Sequence, residues 1–121
     1  PAPAFADATA TAGAPAAFRH QENAYLDTDV EPLLPRLLSR EGPALAAGDV
    51  NGDGLDDVYL GGAKEQPGAL FVQQPGGAFR AVPAPALAAD SVAEQLAAAF
   101  VDADGDGHAD LVVGAGGNEF T

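Results

Sequence analysis

Between Ala47 and Leu60 the chain reads AGDVNGDGLDDVYL, and between Phe100 and Val113 it reads FVDADGDGHADLVV. In both stretches an apolar run enters a short loop crowded with carboxylates and glycines, and a second apolar run leaves it. The oxygen-bearing residues keep one spacing: Asp49, Asn51, Asp53 and Asp57 in the first, Asp102, Asp104, Asp106 and Asp110 in the second. Each position in the second loop lies 53 residues after its counterpart in the first.

Acidic groups packed this closely repel one another unless a cation sits among them. Oxygen ligands at positions 1, 3, 5 and 9 suit a hard ion. Calcium accepts about 6–8 oxygens in a tolerant geometry, whereas magnesium demands a stricter octahedron. Cys and Met are absent, so no sulfur ligand is available to favour a softer metal. Gly52, Gly54, Gly105 and Gly107 let the backbone curl around an ion, and the position-7 carbonyls of Leu55 and His108 would complete the shells. We therefore expect two Ca2+ sites, with Asp56 an acid beside the first rather than a ligand. An EF-hand starts in the same way but needs Glu at position 12 and flanking helices. Position 12 is Leu60 in one loop and Val113 in the other, and the flanks VYL and LVV favour strands. A plain Asp-Gly hairpin turn would explain one such loop. Two loops with a common ligand spacing argue for ion sites between strands.

The chain of 121 residues carries 18 acidic and 5 basic residues, a formal charge of −13, which argues against nucleic acid and anionic membrane surfaces as partners. Bound cations would cancel part of that charge, and the fold is expected to loosen when they are removed. Extracellular calcium modules bind at about 10⁻⁴–10⁻³ M, far above cytosolic calcium, so an extracellular, periplasmic or cell-surface location is expected. No signal peptide is visible and the chain begins at Pro1, as expected of a processed form or a fragment. No apolar run approaches the roughly 18 residues needed to span a membrane.

Residues 1–17, rich in Ala and Pro, read as a linker or extended arm in which Phe5, with Phe18 just beyond, is a candidate anchor. Residues 18–43 read as part of a preceding unit or a docking segment. Tyr25 and Leu26 are a candidate short strand. His20, Glu22, Asp27 and Asp29 hint at a site, and His20 and Glu22 can face one way from extended chain, but no third ligand follows at a defined spacing. A surface role is therefore the expectation. Pro35 allows at most a helical turn over 35–40, and Leu33, Leu34, Leu37 and Leu38 are expected to dock on a β-core. Arg36 and Arg40 are expected to pair with nearby acids.

The small-residue run ALAAG enters the first loop as a strand, Asp57–Leu60 leaves it, and Ala69–Gln73 and Ala78–Val82 are the third and fourth strands. Pro83–Asp90 is a connection. The Ala-rich stretch from Val92 to Val101 has helical composition. Register with the first loop instead makes Glu94–Val101 the entry strand of the second, and the repeat is the stronger constraint. Asp110–Val113 leaves that loop, followed by Gly114, Gly116 and Gly117. The chain thus divides into one complete four-strand unit over 44–96 and a partial second unit over 97–121. Four-strand units at this period are propeller blades, and a closed propeller needs at least about four of them. The expected fold is all-β, of propeller type but incomplete in this chain, its sheets completed by further copies, subunits or a protein partner.

The segments Ala46–Gly62 and Ala98–Gly117 resemble the FG-GAP/VCBS repeat family, whose blades also build the integrin alpha-subunit head. The shared marks are a small-residue strand, the D-x-D/N-x-D-G-x-x-D loop, an apolar strand and a G-G or G-A turn. The run from Glu31 to Gln73 looks like a bacterial, secreted subgroup related to cartilage acidic protein. The resemblance implies a calcium-bound, non-catalytic structural or interaction module. Two alternatives are an exported hydrolase, with Asp56 and Asp57 or Asp90 and Glu94 cast as acid and base, and an adhesion domain with an open calcium position. Against catalysis, Ser39 and Ser91 are the only serines and neither sits in a nucleophile motif, and His20 and His108 are the only histidines.

Overall fold

A computed structural model of the chain describes residues 4–117. Four short strands follow one another as an antiparallel meander: β1 (Leu45–Gly48), β2 (Asp57–Leu60), β3 (Ala69–Gln73) and β4 (Phe79–Val82), in the spatial order β1-β2-β3-β4. Two longer strands, β5 (Glu94–Val101) and β6 (Asp110–Gly116), form a separate antiparallel pair. Both Asp/Gly loops are therefore hairpin connections, β1 to β2 and β5 to β6. The described strands form these two open sheets and no closed propeller.

Side chains alternate between the faces of a strand, and that period sorts the core of the first sheet. Ala46 and Tyr59 are cross-strand partners on one face, both buried. Val58 and Phe71 pair on the other face, where the Phe18 ring meets Phe71 edge-on at 6.3 Å. The N-terminal segment covers this second face. It holds helix α1 (Thr9–Ala12) and a 3-10 turn (Ala14–Ala17), and Gly13 makes a parallel bridge to Phe79 of β4. Phe18 is thus the anchor expected from the sequence, while Phe5 is exposed.

The first face meets β5, and small residues make that approach possible. A methyl on Gly48 would lie 3.2 Å from the Phe100 side chain, and one on Gly61 would lie 3.0 Å from both Ala44 and the Gln95 carbonyl. Gln95 stitches the sheets together. Its main chain accepts the Ala44 N–H (3.0 Å) and donates to the Gly62 carbonyl (3.0 Å). Its side-chain Oε1 accepts the Tyr59 hydroxyl (2.6 Å) and the Gly62 N–H (2.8 Å), and its Nε2 donates to the Asp90 carbonyl (3.0 Å). Tyr59 and Gln95 are both fully buried, so the two bonds to Oε1 form away from water. Burial raises the Tyr59 phenol above its ordinary value, and the Asp90 charge adds to the effect. One residue further on, at Leu96, the β5–β6 register slips in a bulge.

Several local expectations are corrected. Tyr25 and Leu26 form no strand. The chain turns instead into helix α2 (Asp27–Val30), at whose start the buried Asp27 carboxylate accepts both the Ser39 N–H (3.1 Å) and the Ser39 hydroxyl (2.6 Å). Residues 35–40 take turns and bends without a helix. Leu34, Leu37 and Leu38 are half-buried, but Leu33 is 97% exposed. Arg36 pairs with Glu41 at 2.9 Å. The Pro83–Asp90 connection contains helix α3 (Pro85–Ala89), with proline in its first turn. The Ala-rich stretch is strand, as the repeat requires. Strand β6 runs past Val113 through Gly116, since Gly114 and Gly116 pair with Ala97 and Glu94.

Candidate metal loops

Both hairpins cross the same end of the molecule, because β1 and β5 run into their loops and β2 and β6 run out. Gln95 and the start of β5 lie at the opposite end. Between the loops is a cleft of about 310 Å³ lined by Asp49, Gly52, Phe100, Asp102 and His108, among others.

Within each loop the first carboxylate organises the backbone. Asp49 Oδ1 accepts the Gly52 (2.7 Å) and Asp53 (3.2 Å) N–H groups, and its Oδ2 accepts that of Gly54 (2.8 Å). In the second loop, Asp102 Oδ1 accepts from Gly105 (2.7 Å) and Asp106 (3.1 Å), and Oδ2 from Gly107 (2.9 Å). The third and fifth positions repeat the scheme. Asn51 Oδ1 and Asp104 Oδ1 take the N–H two residues on, and so do Asp53 Oδ1 and Asp106 Oδ1, whose donors are Leu55 and His108. Gly54 and Gly107 have φ of 84° and 88°, a region that side chains with a Cβ rarely enter, so the tight curl needs glycine there.

Donated N–H groups favour the ionised form of a carboxylate. They lower the Asp49 pKa: the Gly54 N–H is the largest cause, desolvation opposes it as the second, and the Gly52, Asp53 and Asn51 N–H groups each add a smaller lowering. Asp102, Asp104 and Asp106 each present a carboxylate oxygen within 4.8 Å of the others. A carboxylate offers about four lone-pair positions across two oxygens, so accepting backbone N–H groups leaves room for a cation. The donors are all oxygen and densely charged, which fits calcium and not a sulfur- or nitrogen-seeking metal.

The ninth-position residues separate the two loops. Asp57 is fully buried; its Oδ2 accepts the Val50 N–H (3.0 Å) and its Oδ1 accepts the Gln73 N–H (2.8 Å), which ties the loop to β3. Asp110 accepts the equivalent Ala103 N–H (3.1 Å), is exposed, and lies outside the Asp102–Asp104–Asp106 group. The difference follows from the sheets: β2 is covered by β3, and among the described residues β6 pairs only with β5. Leu55 is half-buried and His108 exposed, and their expected role runs through main-chain carbonyls.

Of the residues considered upstream, Asp27 is absorbed in its bonds to Ser39 and Asp29 is exposed. His20 and Glu22 do come together, and the partner that spacing did not reveal is Glu94 from β5. The Asp90 and Glu94 pair is split by burial, the first exposed and the second 1% exposed.

An antiparallel sheet with Asp/Gly hairpins of this construction defines a β-repeat module. The FG-GAP-like repeat family matches residues 49–113, more than half of the chain and both loops, and the protein belongs to that family. Comparisons with curated proteins and with solved structures gave no match.

Proposed function

We propose that this protein is a calcium-binding, non-catalytic module that serves as structural or protein-interaction blades of a β-propeller or multichain β-assembly outside the cytoplasm. The observation that carries the reading is the duplicated loop: two hairpins on one side of the molecule arrange the same oxygens on the same backbone bonds. Calcium would be held by Asp49, Asn51, Asp53, Asp57 and the Leu55 carbonyl in one loop. Asp102, Asp104, Asp106, Asp110 and the His108 carbonyl would hold it in the other. The ion would offset the mutual repulsion of the acids and stiffen each hairpin, so its binding energy becomes folding energy. Two-sheet incompleteness supports assembly with further copies or a protein partner, since β6 offers an unpaired edge among the described residues. The run from Glu31 to Gln73 supports kinship with the secreted bacterial subgroup related to cartilage acidic protein. The test is calorimetric titration of the chelator-treated chain with Ca2+, together with thermal unfolding in calcium and in EGTA. Two binding events and a higher melting temperature in calcium are expected. Identical melting curves with no binding heat would sink the proposal.

The cleft between the loops favours a second reading, an adhesion module in which an outside carboxylate reaches a calcium. A short acidic peptide that bound only in the presence of calcium would support it.

A further inference from the structure

Away from the Asp/Gly loops, His20 and Glu22, neighbours on one segment, meet Glu94 from β5. His20 Nε2 lies 2.9 Å from Glu22 Oε1 and 3.9 Å from Glu94 Oε1. The three ligand atoms all fall within 4.8 Å of one another. Glu94 is 1% exposed, His20 13% and Glu22 30%, so the cluster sits in a partly closed seat with one wetter side.

The histidine ring is oriented by its other nitrogen. Nδ1 is 3.3 Å from the Gly61 carbonyl oxygen, which can only accept. Nε2 faces carboxylates, which when ionised also only accept. A neutral imidazole carries one N–H and one lone pair, so it cannot satisfy both sides. Either a proton or a metal ion must occupy the Nε2 side. A ring whose Nδ1–H is given to a backbone carbonyl while Nε2 meets carboxylates is the usual posture of a metal-bound histidine.

We propose that His20 Nε2, Glu22 and Glu94 form a centre for a zinc-class divalent cation, distinct in chemistry from the two calcium loops. Zinc bonds to nitrogen and oxygen at about 2.0–2.1 Å in a tetrahedron, so its ligands stand roughly 3.3 Å apart. The two distances from His20 Nε2, 2.9 and 3.9 Å, bracket that value, and the three ligand atoms lie within 4.8 Å of one another, so the carboxylates must draw in for the ion to seat. One nitrogen with two carboxylates suits zinc better than calcium, which takes oxygen alone. Three protein ligands leave the fourth position, on the Glu22 side, for water.

The surroundings are shaped for this seat. The Gly42 N–H donates to Glu94 Oε1 at 2.9 Å, fixing the carboxylate. A methyl on Gly42 would lie 2.7 Å from Glu94 Oε1 and 3.1 Å from His20 Cε1, inside the cluster. The ion would clamp the segment before the first sheet to β5 of the second, adding to the Gly42–Glu94 and Ala44–Gln95 bonds that already join them.

The experiment titrates the chelator-treated full chain with Zn2+ in excess calcium, so that the loops are occupied, and repeats it with Co2+ as an optical probe. About one equivalent should bind, with a cobalt spectrum of low coordination number. His20→Ala and Glu94→Gln should each weaken zinc binding by at least about tenfold, and Gly42→Ala should weaken it without removing a ligand. His108→Ala should leave it unchanged. Because Glu94 is buried and its variant can unfold, the deciding measurement uses the unmodified chain. Zinc should move the His20 Nε2 nitrogen resonance to a metal-bound position while Nδ1 keeps its proton. An absence of zinc binding, binding lost in His108→Ala but kept in His20→Ala, or a His20 ring doubly protonated in excess zinc would each overturn the proposal.

Discussion

Replacing Gln95 with alanine should be among the most damaging single changes to this fold, and the size of the loss follows from its bonds. Oε1 faces two donors, the Tyr59 hydroxyl and the Gly62 N–H, while Nε2 faces the Asp90 carbonyl, so only one orientation of the amide serves all three. Truncation leaves the first two groups buried without acceptors, each costing about 1–3 kcal/mol. Asp90 is exposed, so its carbonyl can turn to water. The total is about 3–5 kcal/mol, a large share of the ~5–15 kcal/mol that holds a domain together. Tyr59→Phe is the gentler probe: it deletes one donor, leaves Oε1 with the Gly62 N–H, and should cost about 1 kcal/mol. In the double variant the stranded hydroxyl is gone, so the combined loss should fall short of the sum by about 1 kcal/mol. Urea unfolding of the four proteins in saturating calcium measures all of this. A Gln95→Ala loss below about 1 kcal/mol, or strict additivity, would refute the claim that this residue joins the sheets.

The ninth positions predict an asymmetry that sequence alone would not: Asp57→Ala should cost about 2–4 kcal/mol through the lost Val50 and Gln73 bonds, and Asp110→Ala about 1 kcal/mol or less, by calcium-free chemical denaturation. Asp53→Ala and Asp106→Ala should each weaken one of the two calcium binding events by more than about tenfold in calorimetry while leaving the other in place. The pKa of Asp49 is lowered in the folded chain, so its contribution is present above the unfolded value near 3.9 and is lost as pH falls through the folded value. Amide protection at Gly54 should accordingly persist at pH 5 and collapse in stronger acid. The raised Tyr59 phenol has the opposite sense: its contribution is present below about pH 10 and lost above it, so alkaline unfolding and phenolate absorbance should appear together.

The elements legible in the sequence were those whose patterns are local. Strand β3 announces itself as ALFVQ between a glycine and a Pro-Gly-Gly turn, and the Asp/Gly spacing marked both hairpins. Even the Ala-rich β5 is legible, because the repeat overrides helix propensity. The remaining features depend on partners far along the chain. Tyr25 and Leu26 have strand-like character, yet they lead into a helix whose first residue, Asp27, is buried against Ser39 twelve residues on. Gly114 and Gly116 look like a terminus, but partners on β5 hold them in a strand. The loops' acids were visible as a set, while the divergence of Asp57 from Asp110 arises from whether a third strand covers each. Glu94 meeting His20 is a tertiary event that spacing along one segment has no means of encoding.

The seam at Gln95 also governs how the repeat units share stability. In a linear array, each unit's persistence depends on its own folding free energy plus a nearest-neighbour term. Here that term includes main-chain bonds from Ala44 to Gln95 and from Gln95 to Gly62, which side-chain drift cannot erase. The two sheets are therefore expected to tolerate divergence in surface and loop while still melting as one cooperative block. The tolerance stops at a single buried amide: at that residue the repeat trades the freedom to vary for the obligation to unfold together.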